Sequence, residues 1–108
     1  MKKNIISLLV LLLIAFNALA EEIVVLYDND VHCAVNGYSK MGALRDEMAK
    51  NHKYVTTVSS GDFIQGDIIG ANSKGDAIVT IMNSVGYDIV TLGNHEFDYG
   101  VPQLMELS

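Results

Sequence analysis

The sequence predicts an α/β fold built on a parallel sheet, in the order β-α-β-α-β. Three observations predict it. Short apolar runs rich in β-branched residues recur at 23–27, 54–58 and 88–92. Between them lie two segments of helical periodicity, long enough to cross over between parallel strands. Each apolar run is followed by a polar cluster: Asp30-Val31-His32, then Gly61-Asp62, then Gly93-Asn94-His95-Glu96.

The elements follow in order. Residues 1–20 read as a secretory signal peptide: Lys2 and Lys3 are basic, Ile5 to Phe16 is an apolar core, and Ala18-Leu19-Ala20 is a small-residue cleavage site. The apolar run is shorter than the ~20 residues a membrane span needs. Beyond it the pattern predicts a strand over 23–27, a loop over 28–39 and a helix over about 40–51. Met41, Leu44 and Met48 would form the apolar face of that helix, Asp46 and Lys50 an i,i+4 pair, and Ser39 the N-cap. A strand over 54–59 and a loop over 60–73 come next. A second helix over about 74–85 carries the stripe Ile78, Ile81, Met82 and Val85, with Asp76 near its start and Gly86 at its end. The third strand, 88–92, leads into a loop over 93–100, and Leu104–Ser108 begins a third helix.

Composition narrows the functional classes. The formal net charge is −6, and loss of Lys2 and Lys3 with the leader makes the remainder more acidic. Such a domain does not bind nucleic acid polymers through bulk electrostatics. Stable membrane insertion after cleavage is not expected. The single cysteine, Cys33, excludes an internal disulfide framework, and it reads as a small, half-buried side chain. The predicted location is exported, periplasmic or secreted.

The three clusters carry the chemistry. The steps from His32 to Asp62 and from Asp62 to Asn94 are 30 and 32 residues, so the clusters fall at the carboxyl ends of successive strands. In open α/β sheets that edge binds ligands. The donor set is oxygen-rich with some nitrogen, which suits divalent metals rather than thiolate-bound zinc. Asp30 and His32, two apart on an extended segment, would point the same way. Asp62 follows a glycine that permits close backbone approach and has two oxygens with which to bridge cations. Asn94 offers a neutral carbonyl oxygen. His95 can approach a leaving-group or phosphoryl oxygen, and Asp98 is spaced to hold its imidazole and favour the charged form. Asp28 reads as turn support, Gln65 as a loop hydrogen-bonder, Glu96 as a structural hydrogen-bonding residue and His52 as a solvated helix end; Tyr99 is the tyrosine beside the site.

Asn29-Asp30-Val31-His32, Gly61-Asp62 through Gly66, and Gly93 through Gly100 together resemble the first three motifs of the calcineurin-like metallophosphoesterase superfamily, in its exported 5′-nucleotidase branch. The resemblance runs from Ile23 to about Leu104. It implies that residues 21–108 are the N-terminal portion of a four-layer α/β/β/α sandwich. It also implies two divalent metal ions (Zn, Mn, Co, Fe, Ca or Mg), with Asp30 and His32 on the first, Asp62 bridging, and Asn94 on the second. His95 and Asp98 match the catalytic pair. Cys33 stands where the family often has glycine, and Asp62-Phe63-Ile64-Gln65 where Asp-Thr-Phe-Gln is more usual.

The expected activity is metal-dependent hydrolysis of phosphate esters, with a nucleotide as the small-molecule substrate. The later family motifs, which supply further His ligands, have no counterpart in 101–108, so a missing C-terminal segment or domain is expected. Two alternatives accompany this reading. One is a catalytically incompetent fragment or remnant. The other is a 2′,3′-cyclic-nucleotide phosphodiesterase or sulfur-ester hydrolase of the same superfamily.

Overall fold

The computed structural model describes residues 21–108; the leader predicted over 1–20 lies outside them. Three parallel strands, β1 (Ile23–Asp28), β2 (Tyr54–Ser59) and β3 (Ile89–Val90), form a sheet in the order β1-β2-β3. The register aligns Ile23 with Tyr54, Asp28 with Ser59, and Val58 with Ile89. The ladder of β3 is longer than the strand itself, because Asp88 N–H donates to Thr57 O (2.9 Å) and Thr91 N–H to Ser59 O (3.0 Å). The strand expected over 88–92 is thus shorter, Ile89–Val90, with no outer partner among the described residues.

The first crossover is α1 (Val35–Asn51). It begins earlier than the sequence suggested. Asn36 and Gly37 look like turn residues, yet burial of Tyr38, which is only 1% exposed, draws them into the first turn. Ser39 is consequently inside the helix, its hydroxyl donating to Asn36 O at 3.2 Å, and it does not cap. Lys50 pairs with Glu47 (2.8 Å) and not with Asp46. Leu44, expected on the apolar face, is exposed, whereas Met41 and Met48 are half-buried.

The second crossover has two helices where one was expected. α2 (Ile68–Ser73) is capped by Asp67, whose side chain accepts from Ile68 N–H (2.6 Å). Its residues include Gly70, Asn72 and Ser73, which signal a turn by propensity; the helix exists because Gly70 packs its backbone against Cys33 and Ile64. α3 (Asp76–Val85) follows the predicted stripe, with Ile78 and Met82 buried and Ile81 and Val85 half-buried. Gly86, at φ +88°, terminates it and donates to Met82 O. α4 (Val101–Leu107) starts before the expected Leu104, with Pro102 in its first turn, where no intrahelical N–H is needed.

α1 packs on α3 and on the first two strands. The core lies here, around Cys33, Tyr38, Phe63, Ile64, Ile78 and Met82. Strand side chains alternate accordingly: Leu26 and Thr57 are buried, whereas Ile23, Val25, Tyr27 and Ile89 stand more than half exposed on the opposite face. Among the described residues no helix is long and apolar enough to cross a membrane.

Candidate metal centre

All three polar clusters leave the sheet at its carboxyl edge; backbone hydrogen bonds join the first to the second, and the side chains of Asp62 and Glu96 join the second to the third. Beyond β1, Asp30 N–H donates to Gly61 O (3.1 Å), His32 N–H to Asp62 O (3.0 Å) and Cys33 N–H to Phe63 O (3.2 Å). The loop after β1 thus runs alongside the loop after β2. It does so in a conformation the sequence did not suggest. Asp30, His32 and Cys33 have φ of +60°, +45° and +61°, so the segment expected to be extended instead turns through left-handed positions on either side of Val31. Such φ values are costly for residues with a Cβ and persist where surrounding contacts enforce them. Asp30 and His32 nevertheless meet, with Oδ1 3.0 Å from Nε2.

The other nitrogen of His32 is occupied. Its Nδ1 lies 2.9 Å from the carbonyl oxygen of Gln65, so Nδ1 carries the proton and donates it. Metal-binding histidines commonly donate their remote N–H to a carbonyl in this way, which fixes the ring and leaves the second nitrogen free. Nε2 faces the Asp30 carboxylate. Gln65 acts through its main chain, a role its side-chain identity could not reveal.

Asp62 also adopts a left-handed φ, +57°, directly after Gly61 at +104°. A Cβ on Gly61 would collide with the backbone of Gly93, and one on Gly93 would collide with the Asp62 side chain. The second and third loops therefore approach as closely as two chains can. Across this contact, His95 N–H donates to Asp62 Oδ1 (2.8 Å). His95 then stands beside His32, ring centroids 5.0 Å apart and nearly edge to face.

The third loop folds into a 3₁₀ turn over His95–Phe97, with Asn94 before it and Asp98 after it. Asn94 is exposed at the rim. Nδ1 of His95 lies 2.7 Å from Asp98 Oδ2, leaving Nε2 outward. The hydrogen bond to Asp98 raises the imidazole pKa above its ordinary value; the charges of Asp98, Asp62 and Asp30 add to the rise, and partial desolvation opposes it.

Glu96 takes the structural hydrogen-bonding role that the sequence suggested, with more partners than one. It is 1% exposed, and its carboxylate accepts from the N–H groups of Asp62 (2.7 Å), Phe63 (2.8 Å), Ile64 (3.3 Å) and Gly93 (2.6 Å). Asp28 accepts from the Tyr87 hydroxyl, and its own carbonyl accepts from Ser60 N–H (3.1 Å). Tyr99 is half-buried against the core. His52 caps α1 away from the site, with Glu22 3.0 Å from its Nδ1.

The arrangement draws Asp30, His32, Asp62 and His95 to one mouth, with Asn94 on its rim. Among the described residues no three His, Cys, Asp or Glu side chains converge closely enough to hold a metal ion alone. The Asp30–His32 pair, with its tautomer set by Gln65, has the donor chemistry of a divalent-cation ligand pair. The pair by itself supplies two donors.

No family model matches the chain. Curated relatives do. The chain is similar to the snake venom 5′-nucleotidase of Gloydius brevicauda, 35% identical over 101 residues, covering 79% of this chain and 17% of that protein. It is similar to the 5′-nucleotidase of Bos taurus, 30% identical over 102 residues, 79% of this chain and 18% of that protein. The trifunctional nucleotide phosphoesterase protein YfkN of Bacillus subtilis is 30% identical over 79 residues, 73% of this chain and 5% of that protein. The chain therefore spans less than a fifth of the length of these relatives. Among solved structures, the calcineurin-like phosphoesterase YfkN from Bacillus subtilis superposes with a TM-score of 0.63 at 24% identity, covering 79% of this chain and 33% of that one. The α/β architecture with its parallel sheet is part of that fold.

Proposed function

We infer, from its place in the calcineurin-like metallophosphoesterase and 5′-nucleotidase superfamily, that this chain contributes the first half of a two-metal site for hydrolysing phosphate esters, nucleotides foremost. The observation that carries the reading is the His32 ring, held at Nδ1 by the Gln65 carbonyl with its Nε2 turned to the Asp30 carboxylate. In this reading Asp30 and His32 would hold one divalent cation, Asp62 would be shared between it and a second, and Asn94 would offer the second a neutral oxygen. When bound, such cations supply Lewis-acid charge for phosphoryl oxygens and acidify water.

The remaining work belongs to side chains. His95, charged through Asp98, presents its outer nitrogen to the phosphate and donates a hydrogen bond or proton to the leaving-group oxygen. Asp98 keeps the ring oriented and protonated. The paired glycines at 61 and 93 let the bridging carboxylate and the imidazole stand within one hydrogen bond of each other. Read as a leader, residues 1–20 would make this an exported protein, with residues 21–108 as the N-terminal part of the metallophosphoesterase domain.

The absence of a three-ligand cluster among the described residues favours a companion reading for the chain on its own: it binds metal weakly and does not turn over. Titration with Mn²⁺ or Zn²⁺, beside assays on AMP and bis-nitrophenyl phosphate, tests both readings. Weak binding that disappears in Asp30→Ala/His32→Ala supports the site. Binding indifferent to that change would overturn it. Metal-dependent hydrolysis well above blank would show that the residues present suffice.

A further inference from the structure

We propose that Glu96 is a positioning residue whose buried carboxylate sets the placement of Asp62 against His95. The consequence for metal binding rests on the reading above; the geometry does not. Oε2 accepts from both Asp62 N–H (2.7 Å) and Gly93 N–H (2.6 Å), so a single oxygen joins the second loop to the third. Oε1 accepts from Phe63 N–H (2.8 Å) and Ile64 N–H (3.3 Å). The left-handed φ of Asp62 turns three successive N–H groups toward one point, forming an anion-binding nest. The occupant of that nest is the chain's own Glu96.

This explains how a carboxylate is tolerated at 1% exposure. A buried charge is costly unless hydrogen-bonded, and four backbone donors, strengthened by the charge, replace its water. The arrangement also works in reverse. The carboxylate holds the left-handed turn at Asp62, and so fixes where the Asp62 side chain leaves the backbone. Asp62 Oδ1 then receives His95 N–H (2.8 Å), a bond that Glu96 does not touch. Glutamine is no substitute, because its NH₂ group would confront two N–H donors where an oxygen is required.

Amide hydrogen exchange, followed by NMR on the full chain, tests this. In the unmodified chain the Phe63, Gly93 and His95 amides are expected to be protected to the same degree as Met82 in α3. In Glu96→Gln, His95 exchange should quicken at least about tenfold while Met82 stays unchanged, and Mn²⁺ affinity should fall about 10–100-fold, the usual effect of losing a group that orients a ligand. A purely local bond would quicken only the four amides touching Glu96. Unchanged His95 exchange in the variant would overturn the proposal. So would unprotected Phe63 and Gly93 amides in the unmodified chain, a result that decides the matter even where the variant does not fold. If the unmodified chain takes up no Mn²⁺, the metal-centre reading fails, and the His95 amide still decides the role of Glu96.

Discussion

Nδ1 of His95 stands 2.7 Å from Oδ2 of Asp98, three positions along the same turn. The bond raises the folded-state pKa of His95 above its unfolded value. The pair's stabilisation is therefore fully present below the ordinary histidine pKa, roughly 6.5, and is lost as pH rises through the raised folded value. Asp98→Asn should move the His95 ring titration down, because the charge-assisted acceptor becomes neutral. NMR of the imidazole carbon-bound protons against pH reads this directly. A titration curve identical in the two proteins would mean that Asp98 is not the cause of the shift.

Asp62 and His95 are joined by a hydrogen bond yet have different assigned roles. Asp62→Ala removes the carboxylate proposed to be shared by two cations, so elemental analysis after metal loading should find the site empty. His95→Ala should retain metal. Where turnover is measurable it should fall ~10²–10³-fold, the typical loss when a group that stabilises developing charge is deleted. Equal metal loss in the two variants would make His95 a ligand and dissolve the distinction.

Gly70→Ala is expected to destabilise the chain by about 1–3 kcal/mol, the usual range for overpacking a filled core. The added methyl group would meet Cys33 Sγ and the Ile64 carbonyl, and both of those residues are buried. Adding Cys33→Ala should recover part of the loss, since the sulfur is one of the two obstacles. Denaturant midpoints for the single and double variants check this; strictly additive losses would show that the two positions do not press on each other.

Cys33 should be chemically silent while the chain is folded. It is fully buried, its thiol donates to Phe63 O at 3.4 Å, and burial raises its pKa, which disfavours the reactive thiolate. Reaction with an aromatic disulfide should proceed no faster than unfolding, and should accelerate with denaturant in step with the unfolding transition. Prompt labelling in native buffer would contradict the packing described.

How far the sequence foretold this structure depended on where each feature's cause lies. α3 was legible to within two residues because Ile78 and Met82 recur at helical spacing and Gly86 ends the helix through its own backbone freedom. α2 and the first turn of α1 were not, because Gly70 and Gly37 favour neither by propensity; contacts with Cys33 and the burial of Tyr38 decide them. The grouping of the three polar clusters at one sheet edge followed from their spacing. Their detailed geometry did not. The left-handed path at Asp30 and His32, the Gln65 carbonyl behind the imidazole, and the four amides around Glu96 are main-chain features that side-chain identities do not encode.

The sheet register has a kinetic consequence. Ile23 with Tyr54, Val58 with Ile89, and Ser59 with Val90 are each 31 positions apart. No strand can find its neighbour before a whole crossover has been closed, and the chain pays that loop entropy before any ladder bond offsets it. High contact order of this kind slows folding. During the delay the apolar residues that the fold buries, Leu26, Ile64, Ile78 and Met82 among them, stay available to other chains, so refolding yield should fall with protein concentration well before native stability does. Diluting the chain from denaturant at a series of concentrations, and comparing recovered ellipticity with turbidity, measures that race.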